Sequence, residues 1–257
     1  MGTRERRQRE FEAREAHFLD KASTIIAAEG FLNLQMARLA EACDYATGTL
    51  YQHFSSKEDL LLALVIRQME AQLDVFRAVE RWRAQSARER MMAMVVGDVD
   101  FARRHPDHMK LSHYVHTEAV WENTSAARRE QALACCGPAG AVVTGIVREA
   151  IAAGDLDPGG LSPMELAFGP WSVSEGVTAL NQVKGLLESL AITDVESLLY
   201  RQVQVHLNGM GWRPLADPAD VAATSALVDR IRVEVFGFDA SVNCDGVSGL
   251  VPDGDQE

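Results

Sequence analysis

A chain of 257 residues, 47% of them hydrophobic, has enough apolar side chain for one large domain or two modest ones with a sizeable core. No apolar run approaches the roughly 18 to 20 residues of a membrane span, and the charged first segment lacks the apolar stretch of a signal peptide. The four cysteines, Cys43, Cys135, Cys136 and Cys244, form no CxxC pair, and adjacent Cys135 and Cys136 suit neither a metal-ligand spacing nor a disulfide framework, so the expectation is a soluble, cytoplasmic protein with reduced thiols.

The net charge of −12 argues against a nucleic-acid partner only until its distribution is considered. Arg4, Arg6, Arg7 and Arg9 crowd the start of the chain against Glu5 alone, whereas Asp239, Asp245, Asp253, Asp255 and Glu257 close it with no basic residue among them. Gly246, Gly249, Pro252 and Gly254 lie in that same acidic end, so residues 239–257 are expected to form a disordered tail without a site.

Between the ends, apolar positions recur at spacings of three and four and no segment alternates over a strand's length, so an all-α fold is expected. Phe18, Ala22, Ile25 and Ile26 mark one face of a first helix, which Gly30 can end because glycine takes the left-handed cap without strain. A second, short helix runs from about Met36 to Cys43, with Met36, Leu39 and Ala40 inward. Asp44 and Tyr45 make a turn, and Thr47 to His53 form a third short helix. Ser56 opens a fourth, with Asp59 three residues later as its capping partner and Leu60, Leu64 and Met69 on its apolar face.

Two short helices joined by a tight turn and packed on a longer one describe a helix-turn-helix, whose second helix enters the major groove of DNA. Such a helix needs small residues for close backbone approach and polar side chains that reach base edges and phosphates. Thr47, Gly48, Thr49, Tyr51, Gln52 and His53 meet both needs, while Leu50 and Phe54, four apart, anchor the helix to its core. Lys57 sits in the first turn of the fourth helix, where free backbone N–H groups also favour phosphate.

The stretch "LAEACDYATGTLYQHFSSKEDLL" resembles the DNA-binding region of the TetR family of bacterial transcriptional regulators, over roughly Phe18 to Leu64, and its T-L-Y-x-H-F-x-x-K-E-x-L pattern is highly specific. The resemblance implies a homodimer that binds a palindromic operator, usually as a repressor, and leaves it when a small molecule occupies the C-terminal domain. It implies that Thr47, Gly48, Thr49, Tyr51 and His53 face DNA and that Lys57 holds a phosphate; Gln35, Arg38 and Gln52 complete the expected DNA-contacting set. The sequence departs from the family pattern in Leu34 and Gln35, where a Ser or Thr usually caps the second helix, in Asp44 and Tyr45 at the turn, and in Thr47, where many relatives carry Lys. Asp tolerates the left-handed conformation, so the turn can survive. From Asn33 to Lys57, Arg38 and Lys57 are cancelled by Glu41 and Asp44. Affinity must therefore lean on neutral hydrogen bonds and on the Arg-rich arm, which either follows a DNA backbone or minor groove or is a solvated lead-in.

The fourth helix continues toward Phe76 and joins the two halves. "GIVREAIAAGDLDPG", residues Gly145 to Gly159, resembles the end of a long helix in these regulators, with Gly137 and Pro138 expected to kink or interrupt it upstream. Ser162, Pro163 and Glu165 form a capping box, Thr193 and Glu196 another, and helices from Pro163 to Val183 and Asp194 to Asn208 resemble the family's dimerising pair. Leu199, Val203, Leu207 and Met210 are spaced either for the dimer seam or for the chain's own core. A further helix starts at Asp217, Pro218 and Asp220 and ends near Phe236.

There is no phosphate-binding glycine loop, no G-x-S-x-G and no H-E-x-x-H, so no enzyme and no cofactor are expected. His105, His108, His113 and His116 raise a metal-dependent protein or enzyme on a helix-turn-helix scaffold as the alternative, but His113 and His116 alone make an incomplete site and no metal is assigned. A small-molecule pocket is the preferred reading, with Asp98, His113 and His116 as polar groups and Phe76, Phe101, Tyr114, Trp121, Phe168 and Trp171 as walls for a mainly apolar effector. The expected organisation is residues 1–57 for DNA binding, 58–238 for effector binding and dimerisation, and 239–257 as tail.

Overall fold

Gly30, at φ 81°, receives the end of the first helix in a conformation that L side chains rarely adopt. The structure, a computed structural model, describes residues 2–237; the expected acidic tail lies outside them. Helix α1 (Thr3–Glu29) is followed by a 3-10 turn (Phe31–Asn33), α2 (Met36–Ala42), α3 (Thr47–Tyr51) and α4 (Lys57–Arg81). The chain continues through α5 (Ala87–Arg104), α6 (Pro106–Val115), α7 (Glu118–Glu122), α8 (Ala126–Ala153), α9 (Pro163–Asn181), α10 (Leu186–Ser189), α11 (Val195–Gly209) and α12 (Val221–Phe236). The described residues contain no strand, so the fold is all-α, an N-terminal helix-turn-helix followed by a larger helical body.

Two apolar cores share α4. Leu60 to Ile66 fill the first with Phe18, Leu39, Leu50 and Phe54, and Val79 enters the second with Met91, Met92, Ile146 and Val203. The first core is not closed by residues 1–57 alone: Leu111, Val115, Val120 and Ala132 from α6, α7 and α8 pack into it. Close approach in the second core depends on two glycines. A Cβ at Gly97 would sit 2.6 Å from Val75 and 2.8 Å from Phe236, where α4, α5 and α12 converge, and one at Gly169 would collide with the His206 ring.

Several expectations require correction. Pro138 does not interrupt α8, because Pro138 and Ala134, whose carbonyl loses its donor, are both exposed, where water can serve that carbonyl. By length and composition α8 would suffice for a membrane span, contrary to the sequence reading; it packs against α4, α5 and α9. Asp194, not Thr193, caps α11, accepting from the Ser197 N–H at 3.0 Å. Leu199, Val203 and Leu207 are buried in the chain's own core rather than presented as a seam. The Ser162 capping box forms as expected, with Ser162 N donating to Glu165 at 2.7 Å. Helix α12 is locked in place by Arg232, whose guanidinium reaches Asp100 at 2.9 and 3.0 Å and also Glu196.

Candidate DNA interface and regulatory centre

The turn between α2 and α3 is made by Asp44, which takes φ 59° as the sequence allowed. Leu39, Ala40, Cys43, Leu50 and Phe54 point inward and hold the two short helices on α1 and α4. That register turns Gly48, Tyr51 and Gln52 outward and leaves Thr47 and Thr49 half-buried at the rim. A Cβ added at Gly48 would meet nothing within 4 Å, so the chain's own packing does not require a glycine there. Gln35 is exposed at the start of α2 and makes no side-chain cap.

The cations of this element are engaged within the chain. Arg38 donates to both carboxylate oxygens of Glu29 at 2.7 and 2.8 Å, which holds Glu29 below the usual carboxylate range. Lys57 Nζ donates to the Leu32 carbonyl at 2.8 Å, and burial lowers its pKa.

His53 does not face outward, which corrects its expected DNA contact. Its side chain is enclosed, stacked on Phe11 at 3.8 Å between ring centroids and edge-on to Phe18 at 5.3 Å. Burial pushes its pKa down, and Glu15, 3.6 Å away, opposes that push. The cause lies upstream: the arm is helix from Thr3 onward, and Phe11 covers the imidazole.

The α7–α8 junction is fastened to the exit of α3 and the start of α4. Asp59 Oδ1 accepts from Ser125 N at 3.0 Å and Ser125 Oγ at 2.7 Å, while its other oxygen accepts from Ser55 N at 3.2 Å. Ser56 Oγ accepts from Asp59 N and donates to the Asn123 carbonyl at 2.8 Å. Arg128 reaches Glu15 at 3.0 Å and lies over the Phe54 ring. Asp59 was legible as a cap, but its bonds to Ser125, sixty-six residues away, had no sequence signal.

The residues expected to line one effector pocket divide into separate places. Tyr114 packs on Phe31 and, with Trp121, belongs to the first core. Phe168 and Trp171 are each 55% exposed on the outer side of α9, edge to face at 5.6 Å, so they do not line the interior. His116, at the end of α6, lies within electrostatic reach of His113 and Glu175, and Phe101 is buried beside the rings of His105 and His108. Phe76 packs against the second core. Asp98 and His113 do share a polar centre, joined by three residues the sequence reading missed: Gln72 donates to Asp98 at 2.5 Å, Ser174 at 3.5 Å, and His113 lies 2.9 Å from Glu175. A cleft of about 590 Å³ opens elsewhere, at the α4–α5 connection beside Arg81, Arg83, Arg90 and Glu149, and contains none of the expected lining residues. Among the described residues no group of three or more His, Cys, Asp or Glu side chains is placed to hold a metal.

Burial pushes the Asp98 carboxyl up to about 6, with Glu175 adding to the push. The folded chain then keeps a proton that the unfolded chain releases near pH 4, so stability falls as pH rises from about 4 to about 6, and above that window ionised Asp98 costs about 3 kcal/mol. Asp98→Asn, which keeps the size and can still meet Gln72 and Ser174, is expected to flatten this dependence and stabilise the protein at pH 8. Urea titrations of both proteins at pH 4 and pH 8 check it; equal pH dependence would contradict the assignment.

Residues 18–64 match the family model described as bacterial regulatory proteins, tetR family. The HTH-type transcriptional regulator UidR of Escherichia coli K12 is 34% identical over 70 residues, which are 27% of this chain and 36% of UidR, so the likeness spans about a third of that relative. A bacterial regulatory protein in the tetR family from Rhodococcus RHA1 shares the fold at TM-score 0.56 and 20% identity, covering 79% of this chain and 98% of that one. FadR from Bacillus subtilis, solved in complex with stearoyl-CoA, does so at TM-score 0.53 and 16% identity, covering 87% of this chain and 99% of its own.

Proposed function

We propose, from the premise that the chain belongs to the tetR family of bacterial regulatory proteins, that it is a homodimeric transcriptional repressor, released from a palindromic operator by a mainly apolar small molecule. The observation that carries this reading is the register of α3: Leu50 and Phe54 are buried while Gly48, Tyr51 and Gln52 stand free beside Thr47 and Thr49. Residues 1–57 supply the reading head and 58–238 the effector and dimer functions. A protein that reads chromosomal operators works in the cytoplasm.

The dimer reading rests on α9, where Met164, Phe168 and Trp171 present an apolar outer face that the chain itself leaves half-exposed. A two-fold axis through this face makes it self-complementary and imposes a palindrome on the DNA. The effector reading rests on the polar centre of Asp98, His113 and Glu175, set among α4, α5, α6 and α9; stearoyl-CoA in the Bacillus subtilis FadR complex is a largely apolar ligand with polar groups.

Selection of duplexes from a random library by the full-length protein tests the reading. Thr49→Ala is expected to relax base preference at one position by about 1 to 3 kcal/mol, whereas Lys57→Ala should weaken all sequences alike and reduce the salt slope by about 1. Recovery of no preferred sequence would overturn it.

A further inference from the structure

The start of α1 lies before the segment that the family model matches, which begins at residue 18. At 3.6 residues per turn, Arg4, Arg7, Phe11, Arg14, Phe18 and Lys21 fall on one stripe of this helix. Glu5 and Glu12 fall on the other side. Glu10 and Glu15 flank the stripe, but Glu10 is paired with Arg6 at 3.4 Å and Glu15 with Arg128 at 3.0 Å. The stripe therefore carries four cations and no acid.

Three contacts fix where it faces. Phe18 is buried in the helix-turn-helix core, Phe11 stacks on His53 at the exit of α3, and the Arg14 guanidinium lies 5.6 Å above the Tyr45 ring in the turn. Beyond them Arg4 and Arg7 are exposed and make no hydrogen bond or ion pair among the described residues. The fifteen residues from Thr3 to His17 extend the helix by about 22 Å. The helix-turn-helix itself offers a polyanion few cations, because Arg38 is paired with Glu29, which leaves Lys57, whose charge the Leu32 carbonyl orients without cancelling.

We infer that this stripe is a second DNA-binding surface, with Arg4 and Arg7 taking phosphates of the backbone beside the groove that α3 reads. The inference rests on the proposed reading of α3 and deepens it. Contact through guanidinium groups to phosphates is independent of sequence and releases counterions, so it appears in the salt dependence of binding and not in base preference. Phe11 and His53 act as the joint that holds the extension against the reading head.

The test uses the full-length protein with Arg4→Ala and Arg7→Ala combined, titrated against the selected operator and against a duplex of mixed sequence over a range of salt. Each lost phosphate contact should lower the slope of log affinity against log salt by about 0.9, so the pair should lower it by about 2 on both duplexes, with the preferred sequence unchanged. Arg9→Ala, on the opposite side of α1, should leave the slope as it was. Both arginines are exposed, and a thermal melt matching the parent verifies the fold. Intact operator binding with an unchanged slope overturns the stripe and leaves the reading of α3 standing; a parent protein that binds neither duplex overturns both.

Discussion

Phe168→Glu combined with Trp171→Glu is expected to convert the protein to a monomer and to weaken operator binding by about 10² to 10⁴, the factor lost when the second half-site no longer benefits from linkage to the first. Both rings are half-exposed on the outer side of α9 and belong to neither core, so the protomer should keep its helix content and its melting behaviour. A two-fold interface uses each residue twice, and central aromatic anchors contribute about 2 kcal/mol or more apiece, so four rings decide the association. The substituted carboxylates would then oppose their own copies across the axis. Sedimentation of parent and variant, with operator titrations of both, checks this. A variant that remains dimeric places the interface elsewhere.

The second large effect concerns the fastening between the two halves. Asp59→Ala removes the acceptor for Ser125 N, Ser125 Oγ and Ser55 N in a site that is 3% exposed, and should cost about 2 to 4 kcal/mol, since hydrogen bonds to charged groups and stranded buried donors lie at the upper end of the usual range. Its functional consequence is separable from its stability cost. The polar centre at Asp98 and His113 lies among α4, α5, α6 and α9, and α6 leads through α7 to Ser125 and Arg128, which grip Asp59 and Glu15. With this grip gone, effector binding should still occur but should shift operator affinity less. Linkage sets the quantity to measure, because effector and operator must weaken each other by the same factor, commonly about 5 to 150-fold. That factor should fall toward one in Asp59→Ala and in Arg128→Ala, which removes the grip on Glu15 from the α8 side; an unchanged factor in both would remove the α7–α8 junction from the route.

How much of this was readable in the chain depends on the range of the interaction. Leu50 and Phe54, Asp44 at the turn, and the Ser56 and Ser162 caps are local, decided by spacing and by backbone preference, and each is found where the sequence placed it. His53 was misplaced because its neighbour Phe11 comes from a helical extension whose charged composition looked like a loose arm. Leu199, Val203 and Leu207 had a spacing that serves a dimer seam and an internal core equally well, and only the path of α11 across α5 and α9 separates the two. Phe168 and Trp171 were grouped with Asp98 as pocket walls because residue type alone does not show which side of α9 faces out. Gln72, Ser174 and Glu175 carried no motif, and their importance follows from the buried carboxylate they surround.

The most direct test of the central claim is to sequence the duplexes that the full-length protein selects and to weigh the resulting complex. A dimeric reading head requires a palindrome whose half-sites are centred about 34 to 36 Å apart, one turn of DNA or a multiple of it, bound by an even number of chains. An asymmetric site occupied by a single chain, or no preferred sequence at all, would contradict the account.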